Sequence, residues 1–236
     1  NFCLKPSDQA YLRSILPGMN SVVPLKPFLD VEAVRADASS IRPATHFGRR
    51  GPLIVAVGMM RPGAKTRSYR LLAESLSGLT DRPWNLAVVG DGPERASVEA
   101  MFAFARERVH FTAALARADV LGWLKSADLL AWPGIGEAIG MVYLEAAACR
   151  LPVAACHVAN VATVVTNGES GLLAPEAGAR AYRTVLSRLL ADGGLRRRLG
   201  EGGFQKAGGD HDIGHAAATL KAMIEPLLDR SRQPAG

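Results

Sequence analysis

The feature that most constrains the fold is a regular alternation between Leu53 and Ala174 of strand-sized apolar runs with longer amphipathic segments. Apolar runs of this length are typical of buried strands, and the segments between them have helical spacing. Strands that alternate with helices pair in parallel and bury both faces of their sheet under the helices. The sequence therefore predicts an α/β fold, a Rossmann-like doubly wound parallel sheet of about six strands with helices on both faces.

The pattern also gives approximate bounds for each element. The predicted strands are LIVAVG from Leu53, NLAVVG from Asn85, VHFT, DLLAWP, PVAAC from Pro152, and SGLLAP. The predicted helices cover residues 68–79, 93–106, 120–126, 140–149, 176–191, 195–206 and 215–228, with a helical turn over 161–167. Ahead of them, SDQAYLRSIL is a short amphipathic helix candidate and SVVPLKPFLD is extended and broken by proline.

The chain divides into three parts. Residues 1–50 form a separate piece ahead of the alternating pattern, 51–228 form one α/β domain, and 229–236 are expected to be a flexible tail. The first residue is Asn1 rather than Met and no signal-peptide pattern follows, so we expect the chain to be a piece of a longer protein.

Composition excludes several classes. The 236 residues are 48% hydrophobic and 21% charged, which is too apolar for a disordered chain. The apolar runs fall short of the ~18 residues of a membrane-spanning helix. Three cysteines without metal-site spacing argue against a disulfide scaffold or a zinc module and favour a reducing, cytoplasmic compartment.

The positive charge is concentrated in one stretch. The net charge is +6, yet no acidic residue lies between Asp37 and Glu74. The basic residues of that stretch are Arg42, Arg49, Arg50, Arg61, Lys65, Arg67 and Arg70. Such a local patch indicates a local anionic ligand rather than a surface for nucleic acid, although solvated arginines on loops would look similar.

Ligands of doubly wound sheets bind at the carboxyl ends of the strands, so the residues after each predicted strand are the candidates. After the first strand, GMMRPGAK places Arg61 and Lys65 on a Pro-Gly loop, where both could bind phosphate. After the second strand, Gly90-Asp91-Gly92-Pro93 permits close backbone approach. The motif lacks the third glycine of the dinucleotide fingerprint, so hydride transfer is not supported.

The fourth strand is followed by the richest stretch, PGIGEAIGMVYLEA, in which a glycine-rich loop leads into a helix. The amides of Ile139, Gly140 and Met141 are free donors at the positive end of that helix, a natural site for an anion. Glu145 lies roughly 9 Å farther along the helix than Glu137. A diphosphate between them would therefore have one carboxylate on each side, and each carboxylate could accept hydrogen bonds from hydroxyl groups. A sugar nucleotide has this layout, with the ribose hydroxyls on one side of its diphosphate and the sugar hydroxyls on the other. The alternative is a first-turn acid plus a surface acid.

These motifs, in this order, resemble the C-terminal, donor-binding domain of family 4 retaining GT-B glycosyltransferases. The similarity runs from about Leu53 to Gly200 and includes VGMMRPGAK, VVGDGP, GEAIGMVYLEAAACRLPVAA and NGESGLLAP. PFLD at 27–30 also resembles the hinge that enters this domain. The resemblance implies that the fold is one half of a GT-B fold.

The resemblance also implies roles for individual residues. Of the two carboxylates of E-x7-E, Glu137 is expected to face the donor sugar and Glu145 the ribose diol, while Arg61 and Lys65 meet the diphosphate. The nucleotide base is expected near Thr112, Ala113 and Ala114. The family pattern G-G-x-P-E-x-V reads A-N-V-A-T-V-V at 159–165 here, without its glycines, proline and acid. This departure could alter donor choice or weaken activity.

For the whole protein, the resemblance implies transfer with retention of configuration from a UDP- or GDP-sugar, without a metal or other cofactor. The catalytic candidates are Glu137, Arg61 and Lys65. The acceptor, a saccharide or a lipid-linked saccharide, would bind to an N-terminal domain missing from this chain, so the isolated chain is expected to be inactive. A peripheral contact with the cytoplasmic membrane face is compatible with the run Arg196-Arg197-Arg198, which a solvated helix face also explains.

Two other functions stay open from the sequence. One is a sugar-nucleotide epimerase or hydrolase on the same fold. The other is a non-catalytic domain that keeps the nucleotide site but has lost transfer, as the altered 159–165 loop would allow. A nucleic-acid binder is disfavoured because no recognised motif or aromatic stacking surface accompanies the basic stretch.

Overall fold

The structure is a computed structural model that describes residues 2–4, 6–15, 22–40, 47, 51–158 and 160–232. Three residues of the basic stretch, Arg42, Arg49 and Arg50, lie outside the described residues, as does Ala159 of the altered loop. The N-terminal part contains β1 (Phe2–Cys3), α1 (Pro6–Ile15), β2 (Val23–Pro24) and α2 (Val31–Asp37). The parallel pair β1 and β2 forms a small sheet of its own.

The rest of the chain alternates strands and helices as the sequence predicts. The strands are β3 (Leu53–Val57), β4 (Asn85–Val89), β5 (Val109–Phe111), β6 (Leu129–Ala131), β7 (Val153–Cys156) and β8 (Gly171–Ala174). The helices are α3 (Ala64–Ser77), α4 (Arg95–Met101), α5 (Arg117–Ser126), α6 (Met141–Ala148), α7 (Ala179–Ala191), α8 (Gly193–Asp210) and α9 (Ile213–Arg232). Short 3₁₀ segments cover Ala103–Arg108 and Val161–Thr163.

The six strands from β3 to β8 form one parallel sheet in the spatial order β5-β4-β3-β6-β7-β8. The predicted fold is thereby confirmed. The first three strands run outward from β3, and the chain then crosses back so that β6 pairs with the other side of β3 at Val55 and Leu130. This reversal between β3 and β6 is a topological switch point, where the carboxyl ends of the strands leave a crevice for a ligand.

Burial explains why the strands are almost uniformly apolar. Helices cover both faces of the sheet, so Ile54, Val55, Leu130 and Ala154 are all completely buried in the central strands. The strand-length apolar runs of the sequence reflect this two-sided packing rather than the polar-apolar alternation of a half-exposed sheet.

Helix α2 was not predicted from the sequence. Its start is fixed by Asp30, whose side chain accepts a hydrogen bond from the Ala33 amide at 2.8 Å. Val31 and Val34 are buried in the same core as the large sheet. Segment 29–37 therefore packs on the α/β domain, although the boundary at residue 50 stays a prediction.

Several helices differ in extent from their predicted bounds. Helix α3 begins at Ala64 rather than 68, directly after Gly63, which has a φ of 89°. The predicted helix over 93–106 is shorter, because α4 ends at Met101 and a 3₁₀ segment follows, in which Ala105 leaves the helical region at φ −141° and ψ 36°. Helix α9 reaches Arg232, so residues 229–232 of the predicted tail are helical. No helix within the described ranges is both long and apolar enough to cross a membrane.

Candidate functional site

An apolar cavity lies at the switch point, where β3 and β6 end side by side. Its volume is about 490 Å³, which is within the range of small-molecule sites. It is lined by residues 57–59 at the end of β3, Lys65 of α3, residues 89–91 at the end of β4, residues 114–115 after β5, Val120 of α5 and residues 137–142 before and in α6.

The segment between β3 and α3 brings one basic side chain to the cavity. The sequence placed Lys65 on the loop, and this was wrong, because Lys65 is in the first turn of α3. The Thr66 hydroxyl donates to the Arg61 carbonyl at 2.6 Å and so ties the first turn of α3 to the loop before it. Arg61 itself is exposed and does not line the cavity, whereas Met59 does.

The loop after β4 explains why a glycine stands at position 90. Gly90 has a φ of 137°, and a side chain there would collide with the Gly58 carbonyl. The Gly90 amide also donates to the Thr112 hydroxyl at 3.3 Å. Gly90 therefore lets the loops after β3, β4 and β5 approach one another closely and contributes its backbone to the cavity wall.

The loop after β5 was predicted to support a nucleotide base through Thr112 and Ala113. Thr112 is 7% exposed, and its hydroxyl donates to the Ala113 carbonyl at 2.8 Å. Arg95 of α4 donates to the Thr112 carbonyl at 2.7 Å and so fixes this loop to α4. The next two residues, Ala114 and Leu115, line the cavity, while Thr112 and Ala113 shape the loop behind them.

The glycine-rich loop between β6 and α6 forms the opposite wall. Gly134, Gly136 and Gly140 have φ values of 79°, 63° and 79°, a region that L side chains rarely adopt. Gly140 is the N-cap of α6, so the amides of Gly140 and Met141 lack intrahelical acceptors. Ile139, Gly140 and Met141 all line the cavity.

Glu137 is held by two side-chain donors at one carboxylate oxygen. Lys65 Nζ lies 2.7 Å from Glu137 Oε2, and Trp132 Nε1 donates to the same atom at 3.2 Å. Asn160 donates from Nδ2 to the Glu137 carbonyl at 2.8 Å. Burial raises the pKa of Glu137, but the hydrogen bond and positive charge of Lys65 and the bond from Trp132 outweigh it, so the pKa lies below its ordinary value.

Glu145 has quite different surroundings. It lies on α6, is half-buried, and does not line the cavity. Burial raises its pKa, and the positive charge of Arg117, at the start of α5, only partly offsets that effect. The two carboxylates of E-x7-E are therefore placed in different environments, one in the cavity wall and one outside the cavity lining.

The charge of the cavity is set by three side chains. Of the described residues that line it, Lys65 is the one cation, and Asp91 and Glu137 are the acids, which gives the lining a net charge of −1. Within the described part of the chain, no group of three or more His, Cys, Asp or Glu side chains could hold a metal ion. A bound anion would depend on Lys65, the helix amides and any further cation that reaches the cavity.

A family model described as "Glycosyl transferases group 1" matches residues 51–192, which is more than half of the chain. The chain belongs to the group 1 glycosyltransferases. The matched range contains every strand of the large sheet and every predicted site residue.

The relatives of this glycosyltransferase are much longer. A D-inositol 3-phosphate glycosyltransferase of Jonesia denitrificans is 27% identical over 233 residues, which cover 94% of this chain and 53% of the relative. One of Streptomyces bingchenggensis is 34% identical over 135 residues, 57% of this chain and 30% of the relative. The chain thus spans about half or less of the length of the curated relatives it matches.

Solved structures show the same fold at low identity. Sucrose-phosphate synthase of Thermosynechococcus elongatus superposes with a TM-score of 0.80 at 22% identity, covering 97% of this chain and 58% of that one. HepE of Anabaena, solved in complex with UDP, superposes with a TM-score of 0.79 at 16% identity. The match covers 95% of this chain and 63% of the HepE chain. A further HepE structure contains UDP-glucose. These neighbours place the large sheet in the GT-B architecture.

Several residues of the site were missed from the sequence. From the sequence alone, Trp132 is expected only to pack in the core, and Arg95, Met59 and Asn160 have no expected role. For Trp132 and Met59 a signal was available, because Trp132 directly follows β6 and Met59 is the second residue after β3, at the edge where ligands bind. The hydrogen bonds from Arg95 to Thr112 and from Asn160 to Glu137 join residues far apart in sequence, and no local sequence pattern predicts them.

Proposed function

We propose that this glycosyltransferase chain is the part that binds the donor, a nucleotide diphosphate sugar with UDP or GDP as its nucleotide, in a family 4 enzyme that retains configuration. The observation that supports this most strongly is the cavity at the switch point, where Lys65, Glu137 and the first amides of α6 converge. The HepE neighbours with UDP and UDP-glucose support the same class of ligand.

Each part of such a donor has a chemically suitable neighbour. The base would rest against the loop after β5, near Ala114 and Leu115. The diphosphate would meet Lys65 and the amides of Gly140 and Met141, because cations and helix N-termini both stabilise phosphate. Glu145 would accept hydrogen bonds from the ribose hydroxyls, which requires the ribose to reach beyond the residues that line the cavity.

The sugar would lie beside Glu137, whose carboxylate can accept hydrogen bonds from sugar hydroxyls. When the glycosidic bond to the diphosphate breaks, negative charge accumulates on the leaving phosphate. Lys65, the α6 amides and Arg61, once its exposed side chain turns inward, would stabilise that charge. We place the acceptor on the same face of the sugar as the leaving group, which gives transfer with retention and needs no protein nucleophile.

The part of the family that this chain resembles does not include the acceptor site. We propose that a saccharide or a lipid-linked saccharide binds to an N-terminal domain of the longer protein, on the cytoplasmic side and with a peripheral membrane contact where the acceptor carries a lipid. Residues 1–50 would then be the end of that domain and its hinge. The isolated chain should bind donor nucleotide without turning it over, and we expect no metal or other cofactor to be required.

Isothermal titration calorimetry with UDP, GDP, ADP and UDP-glucose tests the proposal. Wild-type chain should bind a nucleoside diphosphate, and Glu145→Ala should bind it more weakly. Glu74→Ala, at an exposed glutamate of α3 outside the cavity, is the matched control and should behave as wild type. No binding to wild type, or equal binding by wild type and Glu145→Ala, would contradict the assignment.

One observation favours a second candidate, a domain that keeps the fold but has lost transfer. The cavity lining carries a net charge of −1, and its lysine is already paired with Glu137. Both properties weaken the attraction for a diphosphate. Sugar transfer by the longer protein, with retention shown by NMR of the product anomer, would exclude this candidate.

A further inference from the structure

Trp132 stands directly after β6 and contacts both members of the ion pair in the cavity wall, Lys65 and Glu137. Its side chain is completely buried, and Lys65 Nζ lies 5.3 Å from the centroid of its ring. Its Nε1 donates to Glu137 Oε2 at 3.2 Å, the same oxygen that Lys65 binds at 2.7 Å. One aromatic side chain therefore attracts the cation through its ring face and binds the anion through its N–H group.

The orientation of this indole is itself fixed from several sides. Tyr69 packs against it edge to face, with ring centroids 4.9 Å apart at an interplanar angle of 73°. The Tyr69 hydroxyl donates to the Gly58 carbonyl at 2.6 Å, and the Tyr143 hydroxyl donates to the Trp132 carbonyl at 3.0 Å. A side chain at Gly58 would meet the indole ring at 2.9 Å. The indole consequently has little freedom to rotate or withdraw.

Glu137, in contrast, stands on a loop whose glycines permit many backbone conformations. A carboxylate on such a loop needs an external restraint if it is to present one oxygen to a ligand in a constant position. Trp132 supplies that restraint from a strand end of the rigid sheet. Trp132 does not line the cavity, so any effect it has on a ligand passes through Glu137 and Lys65.

We propose that Trp132 is a positioning residue that holds the Glu137 carboxylate, and with it the Lys65 ammonium, in one arrangement at the cavity wall. The role in ligand binding rests on the proposed function, because it assumes that Glu137 faces the donor sugar. Holding the pair fixed matters most for ligands that carry the sugar, and least for those that end at the diphosphate.

The first experiment compares two ligands in Trp132→Phe, which keeps an aromatic ring but removes the N–H donor. In calorimetry, the affinity for UDP-glucose should fall roughly tenfold, while the affinity for UDP should change less than about twofold. A tryptophan that only packs would lower both affinities by the same factor. Equal losses, or no loss, would overturn the positioning role.

Trp84→Phe is the matched control. Trp84 is also buried, donates from Nε1 to the Leu79 carbonyl at 2.8 Å, and has the Arg108 guanidinium 5.2 Å from its ring centroid. It lies outside the cavity. Trp84→Phe should lower the melting temperature about as much as Trp132→Phe and leave the ratio of the two affinities unchanged.

A second experiment needs no ligand and leaves Trp132 in place. In a ¹H–¹⁵N spectrum, the indole resonance that disappears in Trp132→Phe belongs to Trp132. In Glu137→Gln this resonance should move upfield, because the acceptor loses its charge, while the Trp84 resonance should stay fixed. If Trp132→Phe does not fold, the same assignment can be made by elimination from Trp84→Phe and Trp123→Phe.

The two experiments separate the two proposals. If wild type binds no nucleotide, the proposed function fails, and the indole resonance alone decides whether Trp132 holds Glu137. A resonance that does not respond to Glu137→Gln overturns the positioning role, whatever the chain binds. A shifted resonance together with a selective loss of UDP-glucose affinity supports it.

Discussion

Glu137 and Glu145 belong to one sequence motif, yet the fold gives them opposite environments. Glu137 accepts hydrogen bonds from Lys65 and Trp132 at one carboxylate oxygen, and its pKa lies below its ordinary value. Glu145 is half-buried on α6, burial raises its pKa, and the charge of Arg117 at the start of α5 offsets this only in part. The first carboxylate is stabilised as an anion before any ligand arrives, whereas the second would gain from a ligand that supplies hydroxyl donors.

The difference follows from where each residue stands in the fold. Glu137 is on the glycine-rich loop, where the chain crosses the carboxyl end of β6 and meets the first turn of α3. Glu145 is in the second turn of α6, where its neighbours are the apolar side chains of a buried helix face. Two acids eight residues apart can therefore take separate tasks, a charged contact at the cavity wall for Glu137 and a hydrogen-bond acceptor outside the cavity lining for Glu145.

Replacing Lys65, the cation that binds Glu137 and not Glu145, should have the largest effect on nucleotide binding. Lys65→Gln should weaken UDP binding roughly 10- to 100-fold, because the diphosphate loses a charged hydrogen bond and faces an uncompensated Glu137. Calorimetry at low and high salt measures the loss, which should shrink as salt screens the acid. Arg67→Gln, at an exposed position on α3 outside the cavity, is the control and should bind like wild type.

Replacing each glutamate in turn should give different ligand profiles. Glu145→Gln should lower the affinities for UDP and UDP-glucose by the same factor, about tenfold, because both ligands contain the ribose. Glu137→Gln should lower the affinity for UDP-glucose more than that for UDP, since only the former contains the sugar. Calorimetry with both ligands measures the profiles, and identical profiles for the two variants would contradict the division of tasks.

The sequence was sufficient for the sheet because its determinants are local. Each strand is a short apolar run such as Leu53–Val57, and the requirement that parallel strands end at one edge brings their following loops together. Helix α2 escaped prediction because it has only seven residues and its buried positions, Val31 and Val34, are too few to show a period. Its place in the core depends on contacts with the rest of the domain.

The site was only partly predictable for the same reason. The loops and the glycine-rich turn could be recognised, since they rest on local chemistry. The ion pair between Lys65 and Glu137 joins residues 72 apart, and the indole that restrains it looks like any buried tryptophan in the sequence. The exposure of Arg61 depends on how α3 begins, which propensity alone placed four residues too late.

The two glutamates should also make stability depend on pH with opposite signs. The Lys65 and Trp132 contacts of Glu137 contribute above its ordinary pKa of 4.5 and are lost as the pH falls through its lower folded value. Glu145 has a raised pKa, so its ionisation costs folding free energy as the pH rises above 4.5. Relative to wild type, Glu137→Gln should therefore be destabilised at pH 7, by about 1 kcal/mol, and Glu145→Gln stabilised.

Urea denaturation at pH 4, 5.5 and 7 measures these differences. Both variants should approach wild type as the pH falls, because glutamine resembles the protonated acid and the wild-type carboxylates become neutral. Glu74→Gln, at an exposed position on α3, should show no such trend. If Glu137→Gln were more stable than wild type at pH 7, or Glu145→Gln less stable, the opposite environments described for the two carboxylates would be contradicted.

The smallest effect should come from Arg117, which opposes the raised pKa of Glu145 from an exposed position. In Arg117→Gln the pKa of Glu145 should rise further, because burial then acts without compensation, and the folding free energy should change by less than about 0.5 kcal/mol. Titration of the Glu145 side-chain carboxyl by ¹³C NMR measures the pKa, and 1 M salt should erase most of the difference from wild type, since screening acts on exposed charges. Arg106→Gln, another exposed arginine, should leave this pKa unchanged. A shift that survives high salt would mean that Arg117 acts through a buried contact, and Glu145 would then resemble Glu137 in having a fixed cationic partner.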